Sequence, residues 1–338
     1  MTRPTFVSIV VPLYDEAGNV AELIARITAI MDHAALARGD DYEIVAVNDG
    51  SRDGTLAALR ALRATQPRLV IVDLSRNFGH QIAATAGLDA ARGDAVVLMD
   101  GDLQDPPELI VSFLEKWRDG YDVVYATRKA RRGESLLKLF TAKIFYRIIR
   151  RLTNVSIPVD TGDFRLMSRR VVDALGRTRE KHRFLRGLVS WVGYRQIGIE
   201  YERDARFSGQ TKYPYSKMLQ FAIDGITSFS EIPLRFATYT GFTVSSFAFV
   251  YIVVVLVNKA LGANEPGYTS IMVALLFLGG VILISLGIIG EYLGRIYDQV
   301  KSRPLYLLSS LERGADASGA GSGNSTAEPA SRTTSISS

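Results

Sequence analysis

The sequence predicts an α/β fold: a mostly parallel sheet with helices on both faces, followed by a two-helix transmembrane hairpin. Two observations carry this. Short β-rich runs alternate with helical stretches over residues 6–126, and two uncharged apolar blocks follow that domain-sized region. Continuous apolar strands separated by helices are the pattern of a parallel sheet covered on both sides. The blocks, Phe236–Asn258 and Thr269–Gly290, hold 23 and 22 residues without an Asp, Glu, Lys or Arg. At about 1.5 Å per residue, 22 residues reach roughly 33 Å, enough to cross a hydrocarbon core of about 30 Å. A buried core helix is the alternative for one such block; two in succession disfavour it.

In chain order, Phe6–Val11, Tyr42–Val47, Leu69–Val72, Ala95–Met99 and Val123–Ala126 read as strands. Between them, Asn19–Met31, Thr55–Ala64, His80–Ala91 and Pro107–Trp117 read as helices. Open sheets of this kind bind ligands beyond the carboxyl ends of their strands. Acidic or polar residues stand at those ends: Asp15 and Glu16, Asn48 and Asp49, then Asp100 and Asp102. Neither a Walker A loop nor a GxGxxG turn is present, which argues against an ATPase or a Rossmann dehydrogenase.

The hydrophobic share of 47% is near the globular average, so the membrane signal comes from clustering. Formal charge is +5, and much of the excess is local: Arg128–Arg151 carries nine Lys or Arg against one acid, Glu134. Within it, residues 135–152 alternate cations with Leu, Ile and Phe, as a basic amphipathic helix does on an anionic membrane surface; an ordinary solvated helix face is the plainer reading. No groove-reading motif accompanies the charge, so nucleic acid is not expected as a partner. There is no cysteine, hence no disulfide and no thiolate metal site. The apolar run Val7–Leu13 is short and meets Asp15 and Glu16, unlike a signal peptide. Lys212, Lys217 and Arg235 precede the hairpin and Arg295, Lys301 and Arg303 follow it, whereas its turn holds only Lys259 and Glu265. The positive-inside bias puts domain and tail in the cytoplasm. The expected division is a cytoplasmic domain over 1–215, a juxtamembrane segment over 216–235, spans at 236–258 and 269–293, and a disordered Gly/Ala/Ser/Thr-rich tail over 312–338.

The sharpest chemical signal is Asp100-Gly101-Asp102-Leu103-Gln104-Asp105-Pro106-Pro107. In an extended stretch alternate residues project to one side, so Asp100, Asp102 and Gln104 converge, and Gly101 removes the side chain that would crowd them. Two carboxylates and an amide oxygen are hard ligands suited to Mg²⁺ or Mn²⁺, with nucleotide phosphates completing the shell. A DxD alone is common, and most are turns or caps; its place after the apolar strand Ala95–Met99 favours a metal.

Taken with VPLYDEAGNV, VNDGSRDGT, LSRNFGHQIAATAGLDAARGD, DTGDFRLMSRR and RFSGQTKYP, in that order, this segment resembles family 2 glycosyltransferases of the GT-A fold. It is most similar to their polyisoprenyl-phosphate branch, which includes dolichol-phosphate mannosyltransferases and bactoprenol glucosyltransferases. The resemblance covers roughly residues 5–305. Gly101 stands where other members often have Ala, a change expected to be harmless. The resemblance implies that Pro12, Tyr14 and Glu16 line the nucleobase pocket and that Asp49 contacts base or ribose; ordinary strand-to-helix turn chemistry is the other account. It implies that Asp100 helps hold the nucleotide while Asp102 and Gln104 hold the metal. Arg128 is implied to meet donor or acceptor phosphates, with an exposed membrane-facing Arg as the alternative. Asp163 is implied as the catalytic carboxylate with Arg165 beside it, against a turn-stabilising Asp. Arg203, Arg206, Ser208 and Lys212, in a Gly-containing loop before the membrane, suit the leaving pyrophosphate and a lipid phosphate. Generic juxtamembrane charge is their simpler reading.

The expected function is inverting transfer of one sugar from a nucleotide diphosphate donor to polyprenyl phosphate at the cytoplasmic face of a bacterial inner membrane. UDP-glucose and undecaprenyl phosphate are the first choices. The alternatives are GDP-mannose or a formamido-arabinose type donor and, in another class, a catalytically silent lipid-binding scaffold for a flippase. Processive synthesis is disfavoured, because only two spans are present and the Gln-Xaa-Xaa-Arg-Trp motif is missing. Related enzymes imply a homotetramer.

Overall fold

The computed structural model describes residues 5–36, 39–128, 161–181, 183–201, 232–261 and 267–314. The basic segment 135–152 and the loop holding Arg203, Arg206, Ser208 and Lys212 lie outside the described residues, as does the chain beyond 314. Among the described residues, eight strands form one sheet in the order β7-β5-β6-β4-β1-β2-β3-β8. The half read as alternating strands and helices supplies its centre: β1 (Phe6–Leu13), β2 (Asp41–Asn48), β3 (Leu69–Leu74) and β4 (Ala95–Leu98) pair in parallel. These strands are buried almost throughout, which is why they read as continuous apolar runs rather than alternating ones.

Side-chain alternation sorts the strand residues onto two faces. Val7, Ile9, Val11 and Leu13 pack with α1 (Val20–Leu36) and α4 (Leu109–Arg118), while Val10, Val45 and Val47 pack with α3 (His80–Ala90), α5 (Arg169–Arg177) and α6 (Leu185–Trp191). α2 (Thr55–Arg63) adds Leu59 to the first face. Helix α3 lies very close to the sheet because its inward residues are Ala83, Ala84, Ala86 and Gly87. A Cβ built on Gly87 falls 2.3 Å from Val10 Cγ1 and 2.9 Å from Val47 Cγ2. That tight contact fixes where the first turn of α3 meets the sheet edge.

The outer strands add antiparallel pairs to the expected, mostly parallel sheet. β5 (Val123–Arg128) does not join β4; β6 (Thr161–Ser168) lies between them, antiparallel to both. β7 (Gln196–Tyr201) then pairs in parallel with β5. On the far edge β8 (Leu308–Glu312) runs antiparallel to β3. The sheet domain therefore does not end near residue 215, and the segment expected to be tail from 312 begins as structure. Glu312 pairs with Arg60 and Arg63, and Arg313 reaches the buried Glu43. Between β7 and β8 stand two long helices, α7 (Ile232–Ala260) and α8 (Tyr268–Val300), each extending past both ends of its expected span. Their large apolar side chains face outward, Phe242, Phe247, Leu283 and Ile284 among them. Among the described residues, Phe277–Val300 is long and apolar enough to cross a membrane by length and composition.

Candidate active site

Strand order places the site. After β3, helix α3 returns across β2 and β1 to enter β4 on the other side of β1, so the loops leaving β1 and β4 splay apart at the sheet's carboxyl edge. This is the switch point where open α/β sheets bind ligands. The β1 loop is stitched to the β2 loop. Asp15, at φ 53°, receives the Arg52 N–H on Oδ1 at 2.7 Å and donates its own N–H to Ser51 Oγ at 3.1 Å. The Glu16 N–H reaches Thr55 Oγ1 at 2.9 Å and the Ala17 N–H reaches Asp53 Oδ2 at 3.1 Å. Pro12 is paired in the sheet opposite Val47, Tyr14 is exposed above it, and the Glu16 carboxylate accepts from the Asn19 amide.

Asp49, implied to touch base or ribose, faces inward. It is 2% exposed; Oδ1 accepts the Phe78 N–H at 2.7 Å, and Oδ2 accepts the Gly79 N–H at 2.9 Å and the Asn77 amide at 3.1 Å. Burial raises its pKa against those hydrogen bonds. What Asp49 holds is the loop into α3, whose first residue is His80.

Antiparallel pairing brings β6 to the same edge. Leu98 is opposite Arg165, so two residues past Leu98 and two residues before Arg165, Asp100 comes beside Asp163. His80 stands between them: Nε2 is 3.2 Å from Asp163 Oδ2 and 3.4 Å from Asp100 Oδ1. One ligand atom from each of the three lies within 4.8 Å of the others. Asp163 is buried and has donors on both oxygens, with Arg186 Nε at 2.7 Å from Oδ1 and Gln81 Nε2 at 3.3 Å from Oδ2. Burial alone would raise its pKa; the His80 hydrogen bond and the Arg186 charge overcome that and hold it well below the usual carboxylate range. Asp100 moves the other way, pushed up to about 6 by burial and the neighbouring acids Asp163, Asp105 and Asp102, against the opposing pull of His80. Burial disfavours charge on His80, yet the two acids raise it to about 9.

Arg165 lies beneath the site rather than in its mouth. It is 4% exposed, Nε donates to the Asp163 carbonyl at 3.3 Å and an Nη donates to the Gly162 carbonyl at 2.9 Å. Burial lowers its pKa to about 10. So placed, its guanidinium braces the backbone at the start of β6. The DxD stretch is likewise not extended: Leu103 has φ 58°, the chain bends over 101–103, and the Gln104 N–H turns back to Asp102 Oδ1 at 3.2 Å. Asp102 is half-buried and Gln104 is buried. Gly101 leaves room for a neighbour rather than for the ligands, since a Cβ there falls 2.4 Å from Leu13 Cδ2. Arg128 ends β5 opposite Tyr201.

The donor set fits a hard divalent cation. Asp100 Oδ1 is sealed from solvent without a hydrogen bond, 3.4 Å from His80 Nε2. Three groups here escaped the sequence reading: His80, Gln81 and Arg186. His80 and Gln81 sat inside a stretch read as helix and quoted as a motif, with no role assigned to either. Arg186 follows no residue pattern that marks it.

The comparisons agree with this architecture. Residues 8–176 match the model of glycosyl transferase family 2, and residues 232–296 match that of the GtrB C-terminal hairpin. The chain belongs to glycosyl transferase family 2. An uncharacterized glycosyltransferase of Synechocystis, sll0501, is 52% identical over 305 residues, covering 90% of this chain and 95% of the relative. YkcC of Bacillus subtilis, also an uncharacterized glycosyltransferase, is 49% identical over 91% of this chain and 94% of its own length. A prophage-derived bactoprenol glucosyl transferase of Shigella flexneri is 40% identical over 91% of this chain and 99% of its own. This family 2 member is a glycosyltransferase with the GT-A sheet, and its apolar hairpin matches a model of its own, that of the GtrB C-terminal hairpin.

Proposed function

We propose that this glycosyltransferase moves one sugar, with inversion, from a nucleotide diphosphate donor to polyprenyl phosphate at the cytoplasmic face of a bacterial inner membrane, with UDP-glucose as first donor and undecaprenyl phosphate as acceptor. The observation that carries the reading is the meeting of Asp100 and Asp163 at the sheet's carboxyl edge, in a chain that ends in a long apolar hairpin. The Shigella relative, named for glucosyl transfer to bactoprenol, aligns across domain and hairpin alike. Asp100, Asp102 and Gln104 would hold Mg²⁺ or Mn²⁺. Bound there, the cation supplies neutralisation of the departing diphosphate.

The remaining chemistry falls to the chain. A phosphate acceptor is already anionic, so no strong base is required. Asp163, held ionised by His80 and Arg186, is a poor proton acceptor; its fixed negative charge suits orienting the acceptor or stabilising positive charge on the sugar. Arg128, Arg203, Arg206, Ser208 and Lys212 are assigned to donor and lipid phosphates, and Pro12, Tyr14 and Glu16 to the base. The test is sugar transfer to a short-chain polyprenyl phosphate in detergent across UDP-glucose, GDP-mannose and a formamido-arabinose donor, with Mg²⁺ or Mn²⁺ and product anomer determined. A β-linked lipid product from a UDP- or GDP-α-sugar supports the reading. No lipid product from any donor, with nucleotide binding intact, would leave a silent scaffold.

A further inference from the structure

Asp163 is fixed more completely than a strand carboxylate needs to be. Its two oxygens take hydrogen bonds from two elements that approach from different directions: His80 and Gln81 at the start of α3, and Arg186 in the first turn of α6. A carboxylate with donors on both oxygens cannot rotate about its terminal torsion without breaking one of them.

Gln81 has a second duty. While Nε2 faces Asp163, Oε1 accepts the backbone N–H of Leu185 at 2.9 Å. Leu185 is the first residue of α6, and such an N–H has no partner within its own helix. A backbone N–H can only donate, so it fixes the amide with oxygen toward α6 and NH₂ toward the acid. Arg186 follows Leu185 directly. One amide therefore seats α6 against α3 and delivers a donor to Oδ2, while the seated helix delivers Arg186 to Oδ1.

We propose that Gln81 and Arg186 are positioning residues that together hold the plane of the Asp163 carboxylate toward the reacting sugar. The proposal rests on the reading of Asp163 as the carboxylate that faces that sugar. Holding a reactive group in its working geometry affects the chemical step more than the binding of a remote nucleotide.

The test is a double-mutant cycle on the full-length enzyme in detergent, measuring kcat, donor KM and UDP affinity. Gln81→Ala and Arg186→Lys should each lower kcat tenfold or more, with donor KM and UDP affinity within about twofold of wild type. In an Asp163→Asn background the same changes should cost nothing further, because the group they position has lost its charge. Equal losses in both backgrounds would overturn the proposal, as would wild-type kcat in either single variant. A parallel fall in UDP affinity would also overturn it, since a merely structural role spreads to the whole site. Should Asp163→Asn fall below detection, the split between kcat and UDP affinity in the two single variants decides alone. Failure of the underlying reading has a different signature: Asp163→Asn by itself turns over at the wild-type rate.

Discussion

At the scale of single residues, the proposed function divides groups that work from groups that brace. It assigns Asp102 to the first kind. Asp102→Asn keeps the shape and removes one negative charge from the cation site, which is expected to cost about 3 kcal/mol of transition-state stabilisation, roughly a hundredfold in turnover. Wild-type activity should return with Mg²⁺ or Mn²⁺ after EDTA and the variant's should not; full activity of Asp102→Asn in chelator would sink the metal assignment. Asp122 belongs to the second kind. It is buried under the β5–β6 edge, accepts from Arg170 and, at 3.0 Å, from Ser168 Oγ, and these contacts outweigh burial and lower its pKa. A depressed carboxylate contributes stability that is present above its unfolded value of about 3.9 and is lost as pH falls through the folded value. Thermal melts of the detergent-solubilised enzyme should therefore show Asp122→Asn less stable at neutral pH, with the gap to wild type closing below about pH 4. A gap that stays constant across that range would mean that charge is not what Asp122 contributes.

Among the elements, helix α3 governs the site because it sets His80 and Gln81 at the edge while its middle lies on bare sheet. Gly87→Ala places a methyl against Val10 and Val47, two buried valines with little room to give. Overpacking of this kind costs about 1–3 kcal/mol. The variant should melt several degrees lower and lose turnover, because lifting α3 withdraws His80 and Gln81 from Asp163; an unchanged melt and rate would show that α3 can shift without consequence. The same helix shows what the sequence could and could not disclose. Its extent was readable, since the alternation of strands and helices marks β1 to β4 and α1 to α4 to within a few residues. His80 as a site residue was not, because a lone histidine at a helix start has no local signature and its two acids lie 20 and 83 residues away. β6 was quoted as a motif but not as a strand: it buries Asp163 and Arg165 along with Phe164 and Leu166, and charge in a fully buried strand defeats a search for apolar runs. β8 is a five-residue, half-polar segment whose partner is β3, across the whole hairpin in sequence.

For the whole molecule, β8 turns a question of membrane topology into one of strand pairing. The chain leaves the sheet domain after β7, runs through α7 and α8, and returns to lay Leu308–Glu312 on β3. Further contacts fasten the end of α8 to the domain. Gln299 Oε1 accepts the Lys181 N–H at 2.9 Å, Gln299 Nε2 donates to the Arg179 carbonyl at 3.0 Å, and Lys181 Nζ reaches the Arg303 carbonyl at 3.2 Å. A strand that pairs with the sheet must lie on the sheet's side of any bilayer the hairpin enters, so α7 and α8 together cross an even number of times. On the proposed topology each helix crosses once, which predicts the intervening turn on the far side, and the positive charge flanking the hairpin predicts a cytoplasmic near side. Reporters fused ahead of β1 and beyond residue 314 should both read as cytoplasmic, while one inserted at Gly262–Glu265 should read as external. Arg313→Met gives an independent check on the pairing, since it leaves Glu43 buried without its cation and is expected to destabilise the sheet domain by about 3–5 kcal/mol. Termini on opposite faces, or an Arg313→Met protein as stable as wild type, would mean that β8 does not return to the sheet and that the hairpin reading fails with it.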